Sequence, residues 1–245
     1  MHLSGPPTTT PYAGTYALTQ AQVPPPIPAE ARRGRPVRKS APLKFGSIRA
    51  RPPHAEARQR IGLLGGSFNP PHAAHRQISQ IALKRLKLDR VWWIVTPGNP
   101  LKANGELAPQ AERMAACRAV AQDARIVVTG FEAELGSAFT AGTLAFLTRR
   151  FPATHFVWIM GADCLPQFHR WGQWHDIFHT LPIAVIDRPG WHLPALSSKA
   201  AGAFARARAP GWRAARLAVA TPPAWTFLTG PLANISSTAI RRRGR

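Results

Sequence analysis

The chain alternates between short apolar runs and longer stretches in which apolar positions recur every three or four residues. From Ile61 onward the runs predict buried strands at Ile61–Leu64, Val91–Val95 (Val-Trp-Trp-Ile-Val), Ile126–Val128, His155–Met160, Ile183–Ile186 and Ala224–Leu228. The intervening stretches predict helices from about His75 to Leu86, over Gln110–Gln122 and over Thr140–Arg149, with a last short helix from Ser236. In the first of these, Ile78, Ile81, Ala82 and Leu86 share one face. Strands alternating with helices predict an α/β doubly wound fold, a mostly parallel sheet with helices on both faces. Such folds bind ligands outside the carboxyl ends of the strands.

Residues 1–58 break this pattern. They hold 11 of the 25 prolines, and nine basic residues against two acidic ones. The run Pro24-Pro25-Pro26-Ile27-Pro28 excludes helix and removes backbone donors. The organisation expected is a disordered Pro/Arg-rich extension over 1–58 and one domain over 59–245. A basic arm touching nucleic acid is one reading of the extension. A segment without function is the plainer one, since composition alone is a weak signal.

Composition narrows the class. The 245 residues carry 32 Lys and Arg against 11 Asp and Glu, a formal net charge of +21, and 45% are hydrophobic. That supports an ordinary core. No apolar run approaches the roughly 20 residues that span a bilayer, so a membrane protein is excluded at this stage. The first 20 residues lack a basic cluster followed by an apolar core, so no secretory signal is expected. Cys117 and Cys164 form neither a disulfide framework nor a zinc cluster, and no metal site of the protein's own is expected. A reducing, cytoplasmic setting suits them. The positive charge points to polyanions or phosphorylated small molecules, although abundant Arg, Ala and Pro also fit a genome-wide composition bias.

The chemistry concentrates after the first strand, in Gly65-Gly66-Ser67-Phe68-Asn69-Pro70-Pro71-His72-Ala73-Ala74-His75. Two glycines let a phosphate approach the backbone closely. The amides that follow donate to its oxygens, and the next helix aims its positive end at the same place. His72 and His75, three apart, face that spot together. Near the other end stands Ile235-Ser236-Ser237-Thr238-Ala239-Ile240-Arg241, whose hydroxyls and helix-start amides suit phosphates and whose arginine adds a charged fork.

The first segment resembles the nucleotidyltransferase signature Gly-Gly-(Ser/Thr)-Phe-(Asp/Asn)-Pro-x-His-x-Gly-His. The second resembles Ile-Ser-Ser-Thr-x-Ile-Arg, which points to the nicotinate-nucleotide adenylyltransferases. Trp92–Lys102, Met160-Gly161-Ala162-Asp163 and Asp187-Arg188-Pro189-Gly190 are similar to further family segments in the same order. The resemblance spans residues 60 to 241 and implies a Rossmann-like nucleotidyltransferase fold. The reaction it implies is transfer of the adenylyl group of ATP to nicotinate mononucleotide, giving nicotinate adenine dinucleotide and pyrophosphate, a step towards NAD. Mg²⁺ is expected with ATP, and neither nucleic acid nor membrane is expected as a partner. Oligomeric state and the choice between nicotinate and nicotinamide are not legible.

Residue roles follow from the same resemblance. Gly65, Gly66, Ser67 and Phe68 line the nucleotide groove with backbone donors, Ser67 and Phe68 on the mononucleotide side as well. His72, His75 and Arg241 serve the reaction at the ATP phosphates, with Ser236, Ser237 and Thr238 beside them. Asp163 meets adenosine hydroxyls, and Arg188 lies by the nucleotide. Lys102 reaches a phosphate, or stands as a solvated loop lysine. Thr140 and Thr143 lie near the pyridine ring, Thr140 alternatively being only a helix N-cap. Trp171 stacks on nicotinate, whereas Trp92, Trp158 and Trp174 are expected in the core. Cys164 is expected only to pack. Arg206, Arg208, Arg213 and Arg216 read as a solvated face.

Three features depart from the family pattern: Ala74 stands where relatives have glycine between the histidines, the chain ends four residues after Arg241, and residues 1–58 match nothing. A methyl at Ala74 is expected to crowd adenine. A sister enzyme such as pantetheine-phosphate adenylyltransferase would carry Thr-x-Gly-His and lack the second signature. A nucleic-acid-binding protein would need aromatic–basic platforms or a known module, which residues 60–245, at net +14, do not display. A catalytically dead binder is the third alternative, motivated by Ala74.

Overall fold

The fold was described from a computed structural model covering residues 50–98, 107–135 and 139–230. Seven parallel strands lie in the order β3-β2-β1-β4-β5-β7-β6. They are β1 (Arg60–Gly66), β2 (Arg90–Val95), β3 (Ile126–Thr129), β4 (His155–Gly161), β5 (Ile183–Ile186), β6 (Arg208–Ala209) and β7 (Trp225–Leu228). The six strands expected from apolar runs all form, because a parallel strand buried on both faces must be apolar throughout. The two-residue edge strand β6 carries no such run and was not anticipated.

Helices α1 (Ala73–Arg85), α2 (Gln110–Ala121) and α3 (Thr140–Arg150) match the expected periodic stretches. Helix α1 starts two residues before the expected His75. Helix α3 is capped by Phe139, with no side-chain cap bond, so Thr140 is the first helical residue and not the N-cap. Four short helices were missed: α4 (Leu165–Phe168), α5 (Trp174–Thr180), α6 (His192–Leu196) and α7 (Lys199–Ala203). A 3₁₀ stretch over Gly211–Val219 was missed too.

Two apolar clusters sandwich the sheet. One face gathers Leu63, Trp92, Leu144, Trp158 and Trp225. The other gathers Ile78, Leu83, Trp93, Cys117 and Ile159. Trp92, Trp158 and Trp174 are buried, as expected. Cys164 packs against the first cluster, and Arg206, Arg208, Arg213 and Arg216 are exposed. Among the described residues, no helix is long and apolar enough to cross a membrane.

The boundary expected at residue 58 falls too late. Ala50 and Ala55 are buried in the first cluster. The Arg58 amide donates to the Ala153 carbonyl at 2.6 Å, and the Thr154 hydroxyl donates to the Glu56 carbonyl at 2.9 Å. Proline density concealed this packing, because extended chain that docks through its own backbone needs no apolar periodicity. Residues 1–49 lie outside the described residues.

Candidate active site

The sheet order places β1 between β2 and β4, and the chain leaves these neighbours in opposite directions. The carboxyl ends of β1 and β4 therefore open a crevice at the point where the strand order reverses. Loop 67–72 and helix α1 follow β1 there, and Gly161-Ala162-Asp163 follows β4. The glycines are steric requirements. A Cβ at Gly65 would collide with the Trp158 ring, and one at Gly161 with Asp163 Oδ1 and, at 3.0 Å, with Arg188 Cδ.

His72 is the N-cap of α1, in extended conformation, and His75 is its third helical residue. Their ring centroids lie 3.9 Å apart. The His72 amide donates to His75 Nδ1 at 3.2 Å. That assigns the ring proton of neutral His75 to Nε2, leaving an N–H donor on the far side of the ring. Beneath the pair, His75 touches the Phe68 ring at 4.8 Å, and Phe68 stacks on Trp93 at 5.2 Å. The Trp93 indole donates to Ser79 Oγ at 2.8 Å, and the Ser79 hydroxyl donates to the His75 carbonyl at 2.9 Å. The histidines thus stand on a packed aromatic floor that fixes their rotamers.

Burial lowers both imidazole pKa values from about 6.5, His72 to about 4 and His75 to about 3. The Arg188 charge adds to the effect on His72, where Asp163 opposes it, and the neighbouring His72 and then Arg188 add to it on His75. At neutral pH both are uncharged hydrogen-bonding groups. Arg188 Nη1 donates to Asp163 Oδ2 at 2.9 Å, so the carboxylate and the guanidinium form one mostly buried pair at the mouth of β4. Among the described residues no three His, Cys, Asp or Glu side chains gather as a metal site.

Several of the expected site residues are engaged with the protein's own interior. Phe68 is 1% exposed with φ +45°, so its ring is core and only its backbone faces the groove. Thr143 is 1% exposed, and its hydroxyl donates to Glu132 at 2.6 Å rather than standing open to a ligand. Burial raises the Glu132 pKa, against the hydrogen bonds from Thr143 and Thr96. Trp171 is partly buried, edge-on to Trp158 and 4.9 Å from Phe168. Beside it, a Cβ on Gly172 would come within 2.7 Å of the Phe139 ring, which is half exposed. Phe139 therefore lies against Gly172, the residue after Trp171, a position that sequence reasoning missed. Thr140 starts α3 directly after it. Lys102, Ser236, Ser237, Thr238 and Arg241 lie outside the described residues.

Arg113 was missed altogether. It is 3% exposed on α2. Its Nε donates to the Ala108 carbonyl at 2.7 Å. Its Nη1 donates to the carbonyls of Ser67 at 2.6 Å and Thr96 at 2.9 Å, and Nη2 to that of Pro97 at 3.4 Å. One signal was available. Arg113 shares the inward stripe with Cys117 and Ala121, four and eight residues on, and a charge on such a stripe asks for a buried partner.

Comparison with known proteins agrees with this architecture. The cytidylyltransferase-like family profile matches residues 63–243. A probable nicotinate-nucleotide adenylyltransferase of Methylorubrum extorquens is 60% identical over 184 residues, covering 75% of this chain and all of that protein. Another from Rhizobium johnstonii is 55% identical over 189 residues, covering 77% of this chain and 95% of the relative. The Plasmodium falciparum nicotinic acid mononucleotide adenylyltransferase complexed with NaAD shares the fold, with a TM-score of 0.58 at 16% identity over 75% of this chain and 83% of that one.

Proposed function

This chain belongs to the nicotinate-nucleotide adenylyltransferase family, and from that premise we propose how its crevice transfers the adenylyl group of ATP to nicotinate mononucleotide. The reaction forms a bond between the mononucleotide phosphate oxygen and the α-phosphorus of ATP and breaks the bond to pyrophosphate. The attacking phosphate monoester, with a second pKa of about 6, is already largely ionised at neutral pH. No strong general base is needed, and the protein's task is alignment and charge stabilisation.

The observation that carries this reading is the pair of imidazoles in contact beside the glycine-lined crevice, their ring centroids 3.9 Å apart. The Nε2–H of His75 is a neutral donor aimed away from the His72 amide that fixes it. Triphosphate approach sets a nearby negative charge against the desolvation that holds both rings neutral, so their pKa values rise as ATP binds. The rings then donate to phosphate oxygens as negative charge moves on to pyrophosphate. The Asp163 carboxylate, oriented by Arg188, retains acceptor capacity for ribose hydroxyls. Trp171 and Phe139 offer aromatic faces for the pyridine ring, with Thr140 at the same edge.

Lys102, Ser236, Ser237, Thr238 and Arg241 enter on the family resemblance alone, Lys102 for the mononucleotide phosphate and the others for the ATP phosphates. Among the described residues the carboxylate placed at the mouth of β4 is Asp163, paired with Arg188, so a divalent cation suits a seat on the triphosphate itself. Mg²⁺ bound with ATP would neutralise the leaving pyrophosphate. Two free cysteines, one of them Cys117 with its thiol pushed up to about 12 by burial, fit a reducing cytoplasm. The test is turnover of the full chain with ATP and nicotinate mononucleotide, followed by pyrophosphate release and dinucleotide formation. A folded protein that turns over neither this mononucleotide nor its nicotinamide counterpart refutes the assignment.

A further inference from the structure

We propose that Arg113 is a positioning residue that sets and polarises the phosphate-facing backbone of the β1 loop. This rests on the crevice being the nucleotide site. Arg113 is buried, and among the described residues its hydrogen-bond partners are four backbone carbonyls drawn from three segments. Its pKa is lowered by burial, and the opposing influence comes from Cys117, not from a carboxylate. A buried guanidinium with no acidic partner among the described residues is costly unless dipoles solvate it. Here those dipoles belong to the loops that frame the crevice.

The direction of the dipoles is what matters. A trans peptide is planar, and its N–H points opposite to its C=O. The Ser67 carbonyl is held by Arg113 at 2.6 Å, so the Phe68 N–H points away from α2. The Gly66 carbonyl accepts from the Thr96 amide at 3.0 Å, so the Ser67 N–H points away from β2. Both peptides are trans, the cis bonds of the described chain being Asn69-Pro70 and Pro222-Pro223. Strand β2 lies on one side of β1 and β4 on the other. Two consecutive amides are therefore turned towards the β4 side, where the crevice lies. The left-handed φ of +45° at Phe68 belongs to the same turn, and successive amides in such a turn form an anion-binding concavity. A charged donor on the Ser67 carbonyl also polarises that peptide and strengthens the N–H on its other end. The guanidinium charge thus reaches the ligand through the backbone without touching it.

The experiment compares the full chain with Arg113→Lys and Arg113→Met. Lysine keeps the charge but, as a compact ammonium, cannot bridge three segments as the planar fork does. Melting temperature, kcat, the KM for each substrate, and calorimetric binding of inorganic tripolyphosphate are measured for all three. Expected for Arg113→Lys, in protein that still melts cooperatively, is tripolyphosphate binding about ten- to a hundredfold weaker, the factor that loss of a charge-assisted hydrogen bond carries. The KM for ATP should rise with it while the KM for nicotinate mononucleotide moves less. Arg113→Met should weaken tripolyphosphate at least as much. Unchanged tripolyphosphate affinity in a folded variant overturns the proposal, as does wild-type protein that binds no tripolyphosphate. Two variants that merely unfold make Arg113 a global support and overturn it too. Wild-type protein that binds tripolyphosphate but does not make the dinucleotide refutes the proposed reaction and leaves the loop argument standing.

Discussion

The buried His72 and the partly buried His75 make acid sensitivity a quantitative test of the site. Their folded pKa values are about 4 and about 3, against an ordinary value of 6.5. Between these limits the unfolded chain binds protons that the folded chain refuses. Stability is therefore present in full above pH 6.5 and is lost as pH falls towards 4. At about pH 5 each ring costs ~2 kcal/mol relative to about pH 8, or ~4 kcal/mol together. For a domain of this size ~4 kcal/mol corresponds to a drop on the order of 10 °C in melting temperature. Other groups titrate in the same window. Glu132, whose carboxyl is held above its usual range, acts with the opposite sign and loses stability as pH rises. The informative quantity is thus a difference between variants. Urea unfolding of wild type and of His72→Gln/His75→Gln, at about pH 8 and about pH 5, should show the variant losing ~4 kcal/mol less on acidification. Equal losses would mean that the rings are not buried as described, and the neutral-donor role would fall with them. Added ATP should shrink the wild-type loss, since bound phosphate favours the protonated rings.

His75→Ala should lower kcat/KM by about 10²–10³ in protein that still melts cooperatively, measured by coupled pyrophosphate release. A chain starting at residue 60 should melt on the order of 10 °C below one starting at residue 49, because it loses the buried Ala50 and Ala55 and the backbone bonds of Glu56 and Arg58; equal melting would show that residues 50–58 do not dock. Ala74→Gly, at a buried position in the first turn of α1, should cost about 1 kcal/mol in stability yet lower the KM for ATP and leave that for nicotinate mononucleotide nearly unchanged; an unchanged or raised KM for ATP would remove adenine from residue 74.

The strands were legible because each solves one problem locally. Val-Trp-Trp-Ile-Val is apolar on both faces, and β2 begins one residue before that run and ends with it. The short helices between residues 162 and 203 were not legible, because α4, α6 and α7 span four or five residues each and cannot display a helical period. The site divided along the same line. His72, His75, Gly65, Gly66 and Asp163 stand next to strand ends, and the fold class fixes where strand ends go. Arg113, Glu132 and Phe139 depend on which loops meet in space. Arg113 lies 46 residues from Ser67, and Glu132 lies 11 from Thr143. Nothing in the local sequence encodes those meetings beyond a charge misplaced on an apolar stripe. Thr143 shows the same dependence, since its hydroxyl bonds a buried carboxylate that the local sequence does not announce.

The charge of the molecule and the charge of its site obey different rules. A net +21 suggests a surface that attracts anions everywhere, but exposed arginines such as Arg206 and Arg213 are screened within about 8–10 Å at physiological salt. In the crevice, positive potential has to survive desolvation without being spent on a fixed counter-ion. The structure meets that requirement in three ways. Arg188 is paired with Asp163 yet still depresses both histidines, so its field is felt at the imidazoles. The histidines are neutral until an anion arrives, so they do not repel one another while the site is unliganded. Arg113 keeps its charge but is solvated by carbonyls, each of which turns an amide hydrogen outward wherever the next residue is not proline. On the proposed binding mode a site built this way gains positive charge as a triphosphate enters, which is the condition for stabilising a leaving pyrophosphate more than a resting substrate.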